Sequence, residues 1–259
     1  ASPLLRAAGL EPDDIGLHIV NDKALNAFVS RGQRIFLTSG LLMSAERPEQ
    51  IVGVLAHEIG HITGGHLARL GGALDDARNQ ALIGQIIGFA LGVLAKDGGV
   101  SAATGAKGAD IAIKNLMRFS RTQERSADQV AVNLLDQTRI TSTGLLEFFE
   151  LLQDQELLVR ARQDAYVVTH PLTQDRITFV RKHIENSRYS GNELPGRVKA
   201  KHDRMVAKLK GFINPPSQTL AEYSADDPAV SARYARTMAY YRDARLAQAL
   251  KLIDGLVEQ

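Results

Sequence analysis

The most constraining stretch of the chain is the segment that begins at Pro48, PEQIVGVLAHEIGHI. Ile51, Val54, Leu55, Ile59 and Ile62 recur at spacings of three and four, the apolar stripe of a helix, and Pro48 with Glu49 suits its first turn. A helix of this kind must be buried along one side, yet it carries His57, Glu58 and His61. At about 100° per residue, positions four apart differ by about 40°, so His57 and His61 project from one face and can hold a single ion at two imidazole nitrogens. Glu58 is rotated away from both. It can stand beside a metal without binding it and take a proton from water that the metal activates, the general-base role in metal-assisted hydrolysis.

A catalytic zinc needs a third protein ligand and an open position. The chain has no cysteine, so that ligand is a histidine or a carboxylate, and disulfides are excluded. The longer pattern His-Glu-x-x-His-x-x-Gly-x-x-His holds through Gly64 and fails at Leu67. His66 falls one residue short, about 140° round a continuous helix from His61, and is assigned no chemistry. A second helix offers SRTQERSADQ, with Glu124 and Asp128 four apart on one face. There Glu124 can ligate and Asp128 can accept the second ring N–H of a ligating histidine. Alone, these residues read better as an exposed charged face paired with Arg121 and Arg125. Beside HEIGH, the metal reading prevails.

Three short strand patterns precede the helix, IGLHIV at 15–20, ALNAFVS at 24–30 and QRIFLTS at 33–39, the last two joined at Arg31-Gly32. They predict a small antiparallel sheet. After Gly71-Gly72 comes the apolar run 81–95, fifteen residues where a membrane span needs about 20. A membrane-surface helix, a flap over a cleft and a plain buried helix all fit it. KDGGVSAATGAKGAD (96–110) reads as a mobile loop, followed by helices near 109–136, 141–161, 172–187, 196–212, 227–241 and 243–258. The expected class is therefore mostly α with one small antiparallel sheet, α+β. Tyr240, Ala249, Ile253 and Leu256 fit one tetratricopeptide helix pair or an ordinary amphipathic hairpin. A formal charge of +2, with basic residues spread along the chain, argues against nucleic acid as a partner. The chain begins Ala1-Ser2-Pro3, without an apolar leader, as a mature or trimmed product would.

NAF at 26–28, TSGLL at 38–42, LAHEIGHITGGH at 55–66, RTQERSADQVAV at 121–132 and THPLTQDRI at 169–177 resemble the HtpX/BepA-like zinc metallopeptidases, relatives of the CaaX prenyl protease. The resemblance covers about residues 1–187. It implies a gluzincin holding one Zn2+ per chain, with His57, His61 and Glu124 as ligands, Glu58 as base and Asp128 behind the ligands. Without a series of membrane spans the chain is similar to the soluble, periplasmic BepA-type members, which carry a C-terminal tetratricopeptide array. The implied division is a metallopeptidase domain at 1–190, a helical connector at 191–226 and the start of a tetratricopeptide-like region at 227–259. The implied function is endopeptidase cleavage of misfolded or stalled envelope proteins, with the outer-membrane assembly machinery as a partner and peripheral contact with the membrane. The alternative is a chaperone or binding module whose metal is structural.

Several residues have roles that turn on tertiary placement. Arg176 is a candidate for stabilising the oxyanion. His170, held out of a helix by Pro171, either closes the site as a fourth, inhibitory zinc ligand or anchors the following helix through the backbone. The resemblance also suggests that QRIFLTS is an edge strand beside the metal helix, serving an extended substrate or protected by Arg31 and Arg34. His18, His183 and His202 read as ordinary surface or core histidines.

Overall fold

The computed structural model of the chain describes residues 1–30, 33–70, 98–158 and 170–257, with positions 72–73, 75–76 and 78–79. Its first element is a helix, Ser2–Ala7 (α1), whose Leu4 and Leu5 are buried. The strands follow as Gly16–Val20 (β1), Ala27–Ser30 (β2) and Arg34–Thr38 (β3). Their order is β1-β3-β2, with β3 antiparallel to β2 but parallel to β1. The sheet is thus mixed, which corrects the expectation of an antiparallel one. The direction of β1 is decided by the crossing segment 21–26, which two side chains at the end of β3 hold. Thr38 Oγ1 donates to the carbonyls of Ala24 or Asn26 (2.6 and 2.9 Å) and accepts from Asn26 N–H (3.0 Å). Ser39 Oγ donates to Asp22 O at 2.9 Å. β3 is consequently the central strand, and β2, not QRIFLTS, is the edge strand that packs on the metal-candidate helix.

A 3₁₀ turn, Pro12–Asp14, lies between α1 and β1, and the later helices include Ser39–Ser44 (α2), Pro48–Thr63 (α3), Gly98–Gln137 (α4), Thr143–Leu158 (α5), Gln174–Asn186 (α6), Gly196–Ile213 (α7), Pro216–Glu222 (α8), Val230–Arg242 (α9) and Leu246–Val257 (α10), with residues 66–70 also helical. The expected loop at 96–110 is helical from Gly98 onward. Alanines at 102, 103, 106 and 109 supply the propensity that the glycines lack. The apolar run 81–95 lies outside the described residues. Among the described residues no helix is long and apolar enough to cross a membrane.

Helix α3 begins at Pro48, where Gln50 Oε1 accepts the Glu46 N–H at 2.8 Å. Val54, Ala56 and Ile59 of α3 are fully buried in one core with Ala131 and Leu135 of α4, Leu145, Phe148 and Phe149 of α5, and Ile177 and Val180 of α6. Each such large apolar side chain contributes about 1.5–3 kcal/mol on burial. That stripe fixes which way α3 faces, so His57 and Glu58 are carried inside with it, both fully buried. At Gly60, between the two histidines, α4 approaches so closely that a Cβ there would lie 2.7 Å from the Ala127 carbonyl oxygen and 2.9 Å from its Cα. The approach brings Glu124 and Asp128 to the histidines.

Farther along, α7 packs against α2 and α3, α9 packs against α7, and α10 against α9. The contact face of α9 is small, with Ala232, Ala235 and Ala239 buried. Leu246, Leu250 and Ile253 of α10 are exposed.

Candidate metal centre

Four side chains from three places converge: His57 and His61 of α3, Glu124 of α4, and His170 just before α6. One ligand atom from each lies within 4.8 Å of the others. His57 Nε2 is 3.0 Å from His61 Nε2, and the Glu124 carboxylate oxygens lie 3.3 and 3.4 Å from these two nitrogens. His170 Nδ1 is 3.2 Å from Glu124 Oε1 and 3.4 Å from His57 Nε2. The ring-to-ring angles among His57, His61 and His170 are 67–76°, so the imidazoles approach from different directions, as tetrahedral coordination requires.

Asp128 Oδ1 stands 2.9 Å from His57 Nδ1, behind the ligand ring. This is the place of a carboxylate that fixes a histidine's tautomer. If the His57 proton sits on Nδ1, as ligation through Nε2 requires, a bare Nε2 faces the Nε2 of His61. Two lone pairs and a carboxylate at such separations repel unless a cation lies among them, so the donor set fits a metal ion such as zinc. Without an ion, a proton on His57 supplies that positive charge. Burial alone would pull His57 down, but Asp128 and Glu124 outweigh it and push its pKa up to about 9. Burial would raise Glu124, yet His170 and His57 hold it well below the usual carboxylate range. His61, by contrast, is held well below the ordinary histidine value by burial and then by the neighbouring His57 charge.

Glu58 is fully buried, and neither of its carboxylate oxygens has a hydrogen-bond partner among the described residues. Among the described residues the closest cation-capable group is His170 Nε2, 3.6 Å from Oε1. Burial pushes the Glu58 pKa up, and the nearby His170 and His57 only partly oppose it. A cavity of about 660 Å³ opens beside the cluster, with Glu58, His61, Glu124 and His170 on its wall and Phe28 and Val29 of β2 at its rim.

Arg176 is brought to the cluster, but on its far side. It is 2% exposed, and it grips Asp128 with two parallel bonds, Nε to Oδ2 at 2.6 Å and Nη2 to Oδ1 at 2.8 Å. Its Nη1 reaches Glu124 Oε2 and the Pro171 carbonyl, both at 3.0 Å, and the guanidinium lies 4.7 Å from the Phe149 ring centre. Arg176 is not among the residues that line the cavity. The oxyanion role expected for it therefore gives way to that of a tie holding both carboxylates and the turn that bears His170.

His66, to which the sequence reading assigns no chemistry, lies with Nδ1 2.9 Å from His61 Nδ1. Its pKa is pulled down to about 4 by burial and then by the Arg69 charge. His66 is not one of the four clustered donors, and it comes to the back of His61 because α3 ends at Thr63 and Gly65 turns with φ of 61°, so the 140° of an unbroken helix does not apply. Gly64-Gly65, a helix-stop signal, was the visible cue.

Residues 1–184 match peptidase family M48. The chain belongs to this family. Its relatives include a putative beta-barrel assembly-enhancing protease of Vibrio cholerae, 29% identical over 63% of this chain and 33% of the relative. The beta-barrel assembly-enhancing protease of Escherichia coli is 27% identical over 74% of this chain and 38% of the relative. The mitochondrial metalloendopeptidase OMA1 of Schizosaccharomyces pombe is 24% identical over 67% and 48%. The M48 match and these relatives bear out the HtpX/BepA-like resemblance and support a metalloprotease. The chain spans a third to a half of the length of the curated relatives it matches.

Proposed function

We propose that this M48 chain is a zinc-dependent endopeptidase in which His57, His61 and Glu124 hold the ion and Glu58 is the general base. Zinc bound there would supply Lewis acidity to water and to the scissile carbonyl. The chain's own residues do the rest. Glu58 takes a proton from the attacking water at a carboxylate oxygen and delivers it to the nitrogen of the leaving amine as the C–N bond breaks. Asp128 and Arg176 keep His57 and Glu124 oriented throughout.

The observation that carries this reading is the Glu58 carboxylate, buried and without a hydrogen-bond partner on the wall of the cavity beside the donor set. A purely structural metal site has no use for such a group. Glu58→Gln is the test, with a fluorophore-labelled unfolded protein as substrate. Cleavage should fall by roughly 10²–10⁴ while zinc content is unchanged. Cleavage at the parent rate by the pure variant would overturn the proposal.

For the substrate we assign extended segments of misfolded or stalled envelope proteins, and for the location the bacterial periplasm. The relatives named beta-barrel assembly-enhancing proteases support both. β2 is hydrogen-bonded only to β3 among the described strands, and its Phe28 and Val29 border the cavity. An extended peptide can add to that strand by main-chain bonds and bring a peptide bond to the cluster. The exposed Leu246, Leu250 and Ile253 favour a second, compatible reading, in which the α10 face engages the assembly machinery independently of cleavage.

A further inference from the structure

His61 can ligate through Nε2 only if its proton sits on Nδ1. That nitrogen faces His66 Nδ1 at 2.9 Å, with the two rings nearly perpendicular at 83°. One proton serves the pair. Since His61 carries it, His66 Nδ1 must be bare, and the His66 proton is on Nε2. The backbone is shaped for this contact. Gly64 N–H closes α3 on Gly60 O at 2.9 Å, Gly65 takes the left-handed conformation at φ of 61°, and residues 66–70 are helical again. Arg69 Nη2 reaches back to the Gly64 carbonyl. A Cβ on Gly64 would overlap the His66 ring, with Cδ2 at 2.6 Å.

We propose that His66 is a positioning residue of the metal centre: its bare Nδ1 accepts the Nδ1–H of His61 and holds the His61 Nε2 lone pair toward the point shared with His57 and Glu124. The two ligand histidines are then oriented by different chemistry. His57 leans on the carboxylate of Asp128, and His61 on a neutral imidazole delivered by the Gly64-Gly65 turn. This rests on His61 ligating through Nε2, as the proposed function requires.

The test is zinc affinity of the full chain, stripped and titrated against a chelating fluorophore. His66→Phe keeps the ring and loses the acceptor, while His66→Asn returns an acceptor oxygen near the Nδ1 position. The Phe variant should bind zinc about 10–100-fold more weakly, as loss of such partners does elsewhere, and the Asn variant should recover most of the loss. Equal affinity in parent and both variants overturns the role of His66 alone. A parent that binds no zinc overturns the metal site as well. Nitrogen-15 spectra of the zinc-loaded parent give a readout that needs no variant. His66 should show the Nε2–H tautomer, and Nδ1–H on His66 would refute the inference even if affinity changes.

Discussion

Arg176 holds the most consequential position at the scale of single residues. Two buried carboxylates, Glu124 and Asp128, lean on it, and burial alone would push both toward protonation. Arg176→Met should destabilise the fold by about 3–5 kcal/mol, because it removes the guanidinium from two buried carboxylates that it bridges. Arg176→Lys should restore little of this, since one ammonium cannot reproduce the two parallel bonds to Asp128. Urea denaturation of the apo protein measures both, and a loss below about 1 kcal/mol in the Met variant would contradict the tie. His170 admits a kinetic test. With Nδ1 3.2 Å from Glu124 and Nε2 3.6 Å from Glu58, its ring stands where substrate and water must come. If it acts as a reversible fourth ligand, His170→Ala raises proteolysis at unchanged zinc content. Lower activity together with a lower melting temperature would make it an anchor.

Between elements, the contact of α3 with α4 at Gly60 decides the geometry of the centre. In an exposed helix, Gly→Ala stabilises by about 1 kcal/mol through propensity. Here the added carbon meets the Ala127 backbone at 2.7 and 2.9 Å, so Gly60→Ala should instead destabilise by about 1–3 kcal/mol and weaken zinc binding by moving Glu124 away. The sign of the change, read by denaturation, distinguishes the two effects. A second contact, of α7 with the body, should depend on pH. His202 of α7 is buried, its ring nitrogens have no hydrogen-bond partner among the described residues, and burial lowers its pKa. Asp203, 3.5 Å away, opposes this, as does Glu49 of α3 more weakly, and Lys199 reinforces it. A histidine with a folded pKa below its unfolded value near 6.5 binds fewer protons when folded. Its contribution is therefore complete above about pH 6.5 and is lost as the pH falls toward the folded pKa. The parent's melting temperature should drop between about pH 7 and 5 more steeply than that of His202→Phe. Parallel curves would refute this.

On the scale of the molecule, α3 joins the centre to the core, since Val54 and Ile59 pack among α4, α5 and α6 while His57 and His61 face the cluster. Metal removal should therefore register as global stability. Zinc bound only by the folded state at about a thousandfold over its Kd contributes about 4 kcal/mol. For a unit of this size that corresponds to roughly 10 °C in melting temperature. Scanning calorimetry with and without chelator checks it, and coincident transitions would mean that the cluster holds no ion tightly.

What could be read from the residues alone was whatever one element can express. The apolar period placed α3, the four-residue spacing set His57 with His61, and Glu124 with Asp128 marked the second helix of the cluster, because a helix converts sequence distance directly into angle. Relations between elements were not encoded that way. The parallel pairing of β1 depends on side chains of Thr38 and Ser39 meeting a segment a dozen or more residues earlier. Arg176 was visible as a cation, but that its guanidinium faces two carboxylates and not the cavity follows from how α6 packs on α4. His66 was discounted because its angle was counted along a helix that two glycines end, and only the turned chain returns its ring to His61. Local periodicity determined the elements and half of each polar cluster. Long-range packing decided what each cluster faces, because a side chain's partner is set by the free energy of the whole core and not by its neighbours in sequence.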